Sequence, residues 1–415
     1  MSFISLKKIL GISRENQRTQ YFLLSQLVSS LGSLILNLNI ANEAKTPADF
    51  GEFSIVFLIY VFTLGIFRSI TVSPLLFKES LRDAQPLDAL KAGCINSIIF
   101  GFIIILLSVF VQGDVGLLLR ILGIGIPGLL VQDSFRYYFF SLNRPRKSFA
   151  LDLTWTSTFF ITALLLETQT FIEIGIFGVF GIWCISVYLS IFVEVCWLSP
   201  SIFRARYLRW YRSCRPILKD SLLDYIVTYA STTILVVLFI SKSSFEEVAG
   251  YRAAVALLSL GAIALAAFSI SEVRFMASSE LMGKATAKLI FRKLIFGPLA
   301  LIVILPLLFP SLQMRFPYLF FGDSWEEAKR FILPISASYV VASLATIPQV
   351  ILQSTARIRL LRQINTVNFL ITALLCSLTF EVAGLEGFLW LLVFSKSIAL
   401  VLSAYLLHFR KQEGK

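Results

Sequence analysis

The sequence predicts an all-α integral membrane protein of about twelve transmembrane helices, arranged as two six-helix lobes with both termini in the cytoplasm. Three observations carry this. Hydrophobic residues make up 57% of the chain and charged residues only 15%, and mean hydropathy is +0.81. A soluble domain carries roughly 25% charged residues, and no single core hides such an apolar excess, so lipid must be the second solvent. Apolar runs long enough to span a bilayer, about 20 residues each, recur along the whole chain. Basic residues collect in alternate loops, the asymmetry that marks the cytoplasmic side.

The first twenty residues carry Lys7, Lys8, Arg14 and Arg18. The apolar run after them has no small-residue cleavage site and is read as a retained helix. In order, the predicted spans lie near 21–41, 53–77, 92–112, 115–135, 149–167 and 171–197, then near 221–241, 250–271, 289–310, 331–352, 364–381 and 386–408. Gln112, Gly113 and Asp114 alone separate the third from the fourth, which suits a tight turn between antiparallel helices. The five cysteines are scattered without a Cys-x-x-Cys pair, so they read as small buried hydrophobes.

Loop charge tests this assignment independently. With the N-terminus inside, the even loops carry Lys78, Arg82 and Lys91; Arg136, Arg144, Arg146 and Lys147; Arg204, Arg206, Arg209, Arg212, Arg215 and Lys219; and further clusters through the C-terminal tail. About 28 of the 37 basic residues fall inside. The outer loops hold Lys45, Lys242, Arg252, Arg315, Lys329 and Arg330 among most of the loop acids. The net charge of +12 is therefore a topology signal. The central segment mixes Tyr207, Trp210 and Tyr211 with its arginines; it reads as a juxtamembrane stretch lying on anionic headgroups and not as a nucleic-acid surface.

The two halves echo each other. Shifting the second by 199 residues lays Gly250 on Gly51, and Tyr225, Thr228, Tyr229 and Thr232 on Gln26, Ser29, Ser30 and Ser33. The i, i+3, i+4, i+7 spacing puts each polar set on one helical face. This predicts an N-terminal lobe over 1–197, a basic cytoplasmic linker over 198–220 and a C-terminal lobe over 221–415. Gln26, Ser30, Ser33, Asn37, Tyr225, Thr228, Tyr229 and Thr232 become cavity candidates, although Ser and Thr stripes also serve as glue between helices.

Charges at membrane depth are few and costly, so they are functional candidates. Arg68 follows fifteen residues of the second span and shares a face with Tyr60 and Thr71; its guanidinium fork suits a pyrophosphate or an acidic sugar, and it also lies far enough along to snorkel toward the cytoplasmic headgroups. Lys396 is central in the twelfth span, placed to bind an anion or to pair with an acid. Arg120 sits early in the fourth span, where a gate or release site is expected. Asp133 and Asp152 flank Arg136 and are expected to pair with it as a structural clasp.

Two segments carry a family resemblance. Thr46-Pro47-Ala48-Asp49-Phe50-Gly51-Glu52-Phe53 resembles the acidic-Phe-Gly-aromatic junction of polysaccharide exporters in the multidrug/oligosaccharidyl-lipid/polysaccharide (MOP) superfamily. Gln132 to Phe140, with Asn143-Arg144-Pro145, Asp152 and Trp155, is similar to the fourth-to-fifth span loop of its bacterial polysaccharide-biosynthesis members. The resemblance covers the whole chain in architecture and about forty residues in motif. It implies a MATE-like fold and an O-antigen-type flippase in the bacterial inner membrane. Such a flippase turns an undecaprenyl-pyrophosphate-linked oligosaccharide outward as a monomeric unit, in company with a polymerase and glycosyltransferases. Relatives that move peptidoglycan precursor keep cations on the first, second and eighth spans; only Arg68 matches, which argues against that branch.

No phosphate-binding Gly-x-x-x-x-Gly-Lys-Ser/Thr loop, catalytic triad or metal-ligand set is present, so neither an ATPase nor an enzyme is expected, and no cofactor. The glycolipid gradient, an ion gradient and the membrane potential all remain open as energy sources. A drug or cation antiporter on the same fold would need acids inside a lobe, where the first span offers Asn37, Asn39 and Asn42. A glycan polymerase would need a large outer loop bearing carboxylates or histidines, and none is read here.

Overall fold

The computed structural model describes residues 14–76, 85–142, 144–167, 175–229, 244–259, 318, 321–354, 358–379 and 384–409. Among the described residues the chain is helical and contains no strand. The first six predicted spans appear as α1 (Arg14–Glu43), α2 (Pro47–Phe67), α3 (Pro86–Ser108), α4 (Gly113–Ser141), α5 (Pro145–Glu167) and α6 (Gly175–Arg204). They are followed by α7 (Tyr207–Tyr229), α8 (described over 245–259), α9 (Ser324–Ser354), α10 (Ile358–Thr379) and α11 (Gly384–Phe409). Among the described residues, α1 to α6 and α11 contain stretches long and apolar enough to cross a bilayer. The later parts of the seventh and eighth predicted spans and all of the ninth lie outside the described residues.

Local chemistry explains where the helices begin. Thr46 and Asp49 form a capping box: the Asp49 N–H donates to Thr46 Oγ1 at 3.3 Å and the Thr46 N–H to Asp49 Oδ2 at 3.0 Å, with Pro47 at the first helical position. Orphan N–H groups are thus satisfied at the turn where α2 starts. Between α3 and α4, Gly113 adopts φ +74°, a conformation that suits glycine, and the predicted tight turn forms. At the far end of α2 the ladder loosens into a π-helical turn, Arg68–Val72, and a 3₁₀ turn, Ser73–Leu76. Pro74 has no N–H to offer Ile70, so a regular α-ladder cannot continue there.

In the N-terminal bundle α1 packs on α5, α3 on α4, and α4 on α6; farther on, α11 packs on both α9 and α10. An aromatic core ties α2 to α6. Phe53 meets Phe180 edge-on at 5.4 Å, Tyr60 meets Trp183 at 5.3 Å, and Trp183 lies against Trp155 at 5.4 Å. The outward side of α3 is equally apolar: Ile98, Phe102 and Leu106 are exposed. Such a surface is at ease only against acyl chains.

The predicted linker over 198–220 is helical. Residues 198–204 finish α6, the chain breaks at Ala205 and Arg206, and α7 begins. The start of α3 clamps this break: Lys91 Nζ donates to the Ala205 carbonyl at 2.8 Å, and the Arg206 N–H donates to Asp88 Oδ1 at 2.6 Å. Asp88 is 1% exposed and also lies 3.5 Å from Arg209 Nε. The aromatics expected on headgroups turn inward instead. Trp210 is fully buried, Tyr207 packs on Tyr211, and the Tyr211 hydroxyl accepts from Asn96. Bulky rings offered a packing surface bury a large apolar area there. Farther along α7, Asp220 pairs with Arg362 and Asp224 accepts from Asn365 Nδ2 at 2.9 Å, both partners on α10. One helix therefore touches both bundles.

Candidate functional site

A chain of four alternating charges crosses the N-terminal bundle. Arg68 grips Asp133 with two parallel bonds, Nε to Oδ2 and Nη2 to Oδ1, both 2.8 Å. Arg136 Nη1 donates to the same Asp133 Oδ1 at 2.8 Å, and its Nε and Nη2 donate to Asp152 at 3.0 and 2.7 Å. Asp152 also accepts from Ser25 and from Gln132 Nε2, and Ser29 Oγ accepts from Arg136 Nη2 at 2.8 Å. Two arginines balance two aspartates. Buried without partners, these charges would be costly; mutual pairing offsets that penalty.

Exposure is graded along the chain. The side chains of Asp133, Arg136 and Asp152 are 2%, 3% and 0% exposed, whereas that of Arg68 is 32% exposed. Arg68 sits on the π-helical turn, with Tyr137 beneath its guanidinium at 5.8 Å. Its Nη1 makes no hydrogen bond among the described residues. The network is thus a buried scaffold with one cationic end turned outward.

The cavity candidates divide. Ser33 donates weakly to the Ser29 carbonyl, and Asn37 Nδ2 donates to the Ser33 carbonyl at 2.6 Å. Gln26 and Ser30 are half-buried. Tyr60 lies in the aromatic core, and Thr71 is buried under Asn96 at 2.8 Å, so neither accompanies Arg68 into an open space. Tyr225 bridges α7 and α2: its O–H donates to the Phe62 carbonyl at 3.1 Å. Its ring also occupies the place a Cβ on Gly65 would need. The side chains of Thr228 and Tyr229, and the whole of Thr232, lie outside the described residues. Arg120 does not join the site. It is exposed on the stripe it shares with Leu117 and Ile124.

Lys396 reaches Ser338 Oγ at 2.7 Å, between α11 and α9, about 18 Å along the helix from Gly384. No carboxylate lies within ion-pair reach among the described residues. Arg252 corrects an expectation. Assigned to an outer loop, it is 8% exposed inside α8; its Nε donates to Asn37 Oδ1 at 2.9 Å and its guanidinium covers Phe57 at 4.2 Å. The seam it occupies is close: a Cβ on Gly51 of α2 would come within 2.3 Å of the Phe245 carbonyl. A Cβ on Gly250 of α8 would come within 2.5 Å of Glu327. Both members of the glycine pair found by the 199-residue shift therefore lie at close approaches between helices.

No family model and no curated protein matches the sequence. Solved structures do. An outward-facing multidrug-resistance MATE family transporter of the MOP superfamily superposes with a TM-score of 0.66 at 12% identity, covering 96% of each chain. A mutant form of a Vibrio cholerae MATE transporter gives 0.67 at 12% over 97% of each. This chain has a MATE-type fold. A third neighbour of that fold is a MOP superfamily transporter from Pyrococcus furiosus, with a TM-score of 0.67 at 13% identity over 96% of each chain. Its binding pocket is described as having reverse polarity, suggesting a different function. At these identities the likeness shows the fold alone, and any role has to be argued from side chains.

Proposed function

We propose that this multi-pass membrane transporter moves an anionic, phosphate-bearing lipid-linked oligosaccharide from the cytoplasmic to the outer leaflet of a bacterial inner membrane. One observation carries the reading. Among the described residues, Arg252 and Lys396 are buried or half-buried cations without a carboxylate partner, whereas the deep N-terminal carboxylates do not lack cations. There Arg252 meets an amide oxygen and an aromatic ring, and Lys396 a hydroxyl. Asp133 and Asp152 are each held by arginine. Burying a cation against neutral partners is costly; a site that receives a phosphate during the transport cycle recovers that cost when the charge arrives. Arg68, half-committed to Asp133, supplies a further donor.

A cation antiporter on the same fold is the second reading, and it has a specific foothold. Asp224 on α7 is half-buried and accepts from Asn365, with no close ion pair among the described residues. Proton exchange at Asp224 is what that mechanism would use. The two readings separate on three variants assayed in cells at matched protein levels. For the oligosaccharide transporter, Arg252→Gln and Lys396→Gln accumulate lipid-linked glycan on the cytoplasmic leaflet, and Asp224→Asn does not. The reverse pattern, or unchanged surface glycan in both cation variants, refutes the reading.

A further inference from the structure

On α7, Leu208, Arg212, Arg215 and Lys219 recur at i, i+4, i+7 and i+11, and therefore share one face. All four are exposed, Leu208 at 67%. Trp210, Cys214 and Leu218, on the opposite face, are buried. Arg204 and Arg206, both exposed, extend the positive face across the break between α6 and α7. The helix's own acids do not neutralise it. Asp220 and Asp224 engage α10, and neither Arg212, Arg215 nor Lys219 makes an ion pair among the described residues. A long basic stripe with an apolar residue at its head, beside a set of membrane spans, matches a phosphate layer: the stems lie along the interface while the charges reach the headgroups.

This helix is also the joint between the bundles. Its first half is fixed to α3 through Asp88, Lys91 and the Asn96–Tyr211 contact; its second half is fixed to α10 through Asp220 and Asp224. Pro216 stands between the two anchorages and withholds one N–H from the helical ladder, which is where a helix bends most readily.

We propose that the Leu208–Arg212–Arg215–Lys219 stripe is a docking surface for anionic phospholipid of the cytoplasmic leaflet. Bound lipid holds the first half of α7 and so sets the angle between the bundles about Pro216. The docking is independent of the cargo, and the tuning of transport rests on the transporter reading above. Each basic residue at such a surface adds a similar increment, so removing three weakens lipid binding on the order of a hundredfold.

The test uses the purified full chain in nanodiscs of phosphatidylcholine with or without phosphatidylglycerol. It compares wild type, the triple variant R212Q/R215Q/K219Q and a control on α9, K329Q. Lipid retained is read by native mass spectrometry, and the distance between spin labels on α3 and α10 is read in both membranes. Wild type and K329Q are expected to retain phosphatidylglycerol and to shift the distance with it. The triple variant loses both responses, and R212K/R215K, which keeps the charges, recovers them. Should the triple variant unfold in phosphatidylcholine, the single variants R212Q and K219Q carry the test, each with a partial loss. Undiminished phosphatidylglycerol binding in the glutamine variants overturns the proposal. So does equal competition by soluble pyrophosphate, which would mark the stripe as a cargo-phosphate site. An unchanged distance despite lipid binding refutes the coupling to α7 and leaves the cargo reading untouched.

Discussion

Asp152 has no exposed surface and accepts from Arg136, Ser25 and Gln132. Removing it leaves Arg136 with a single carboxylate partner, at a cost of about 3–5 kcal/mol for a broken buried pair. Asp152→Ala is therefore expected to lower the unfolding temperature in detergent sharply. Arg68→Gln, at the half-exposed end, lowers it less; equal losses would show the network to be uniform and not graded. The pairing of Arg136 with its two aspartates is readable in sequence because Asp133 lies one helical turn away and Asp152 on the next helix. The partner of Arg68 is 65 residues distant, and nothing in the local pattern names it. Arg252 is misread for a different reason. Hydropathy starts the eighth span at about residue 250, but the helix is already formed from 245, so a residue taken for a loop cation stands inside. The seam that buries it against Asn37 and Phe57 comes from tertiary packing, and window averaging does not see it.

At the scale of elements, α7 departs most from a sequence reading. Charge density marks 198–220 as a linker, yet the Trp210, Cys214, Leu218 periodicity is that of a packed helix. The deciding partner, Asp88, hides in a cytoplasmic segment that looks merely polar. The clamp has a chemical reporter. Burial pushes the Cys214 thiol up to about 11; with the thiolate as the reactive form, roughly one molecule in a thousand is ionised at pH 8. Cys214 in the native protein is therefore expected to resist maleimide and to react faster only as pH approaches that value. Asp88→Ala, which frees the Arg206 N–H and Arg209, is expected to speed labelling at pH 8 severalfold. An unchanged rate means the clamp does not hold α7. A second element-level prediction concerns the Tyr225 contact. Gly65→Val places methyl groups where the Tyr225 ring lies, so the α2–α7 contact opens. A cysteine placed at Phe62 then becomes accessible to a cytoplasmic-side reagent; persistent protection would show the contact to be unrelated to gating.

For the molecule as a whole, two physical signals make the fold legible before any coordinates. One is apolar length, the other the alternation of loop charge, and both follow from the bilayer as solvent and not from detailed packing. The MATE-type fold agrees with them along nearly the full chain. The polarity of the interior is less legible, because it depends on which charges meet across the bundle. Arg68 proves largely neutralised and Arg120 is exposed, while Arg252 and Lys396 have no carboxylate partner among the described residues. Binding to the isolated protein tests that polarity most directly. Purified wild type and Arg252→Gln are titrated in detergent with a prenyl pyrophosphate and, separately, with a lipophilic cationic dye. Wild type is expected to bind the pyrophosphate, Arg252→Gln to lose at least tenfold in affinity for it, and the dye to bind neither. Dye binding that survives Arg252→Gln and is abolished by Asp224→Asn, with no pyrophosphate binding by wild type, would contradict the anionic-cargo reading.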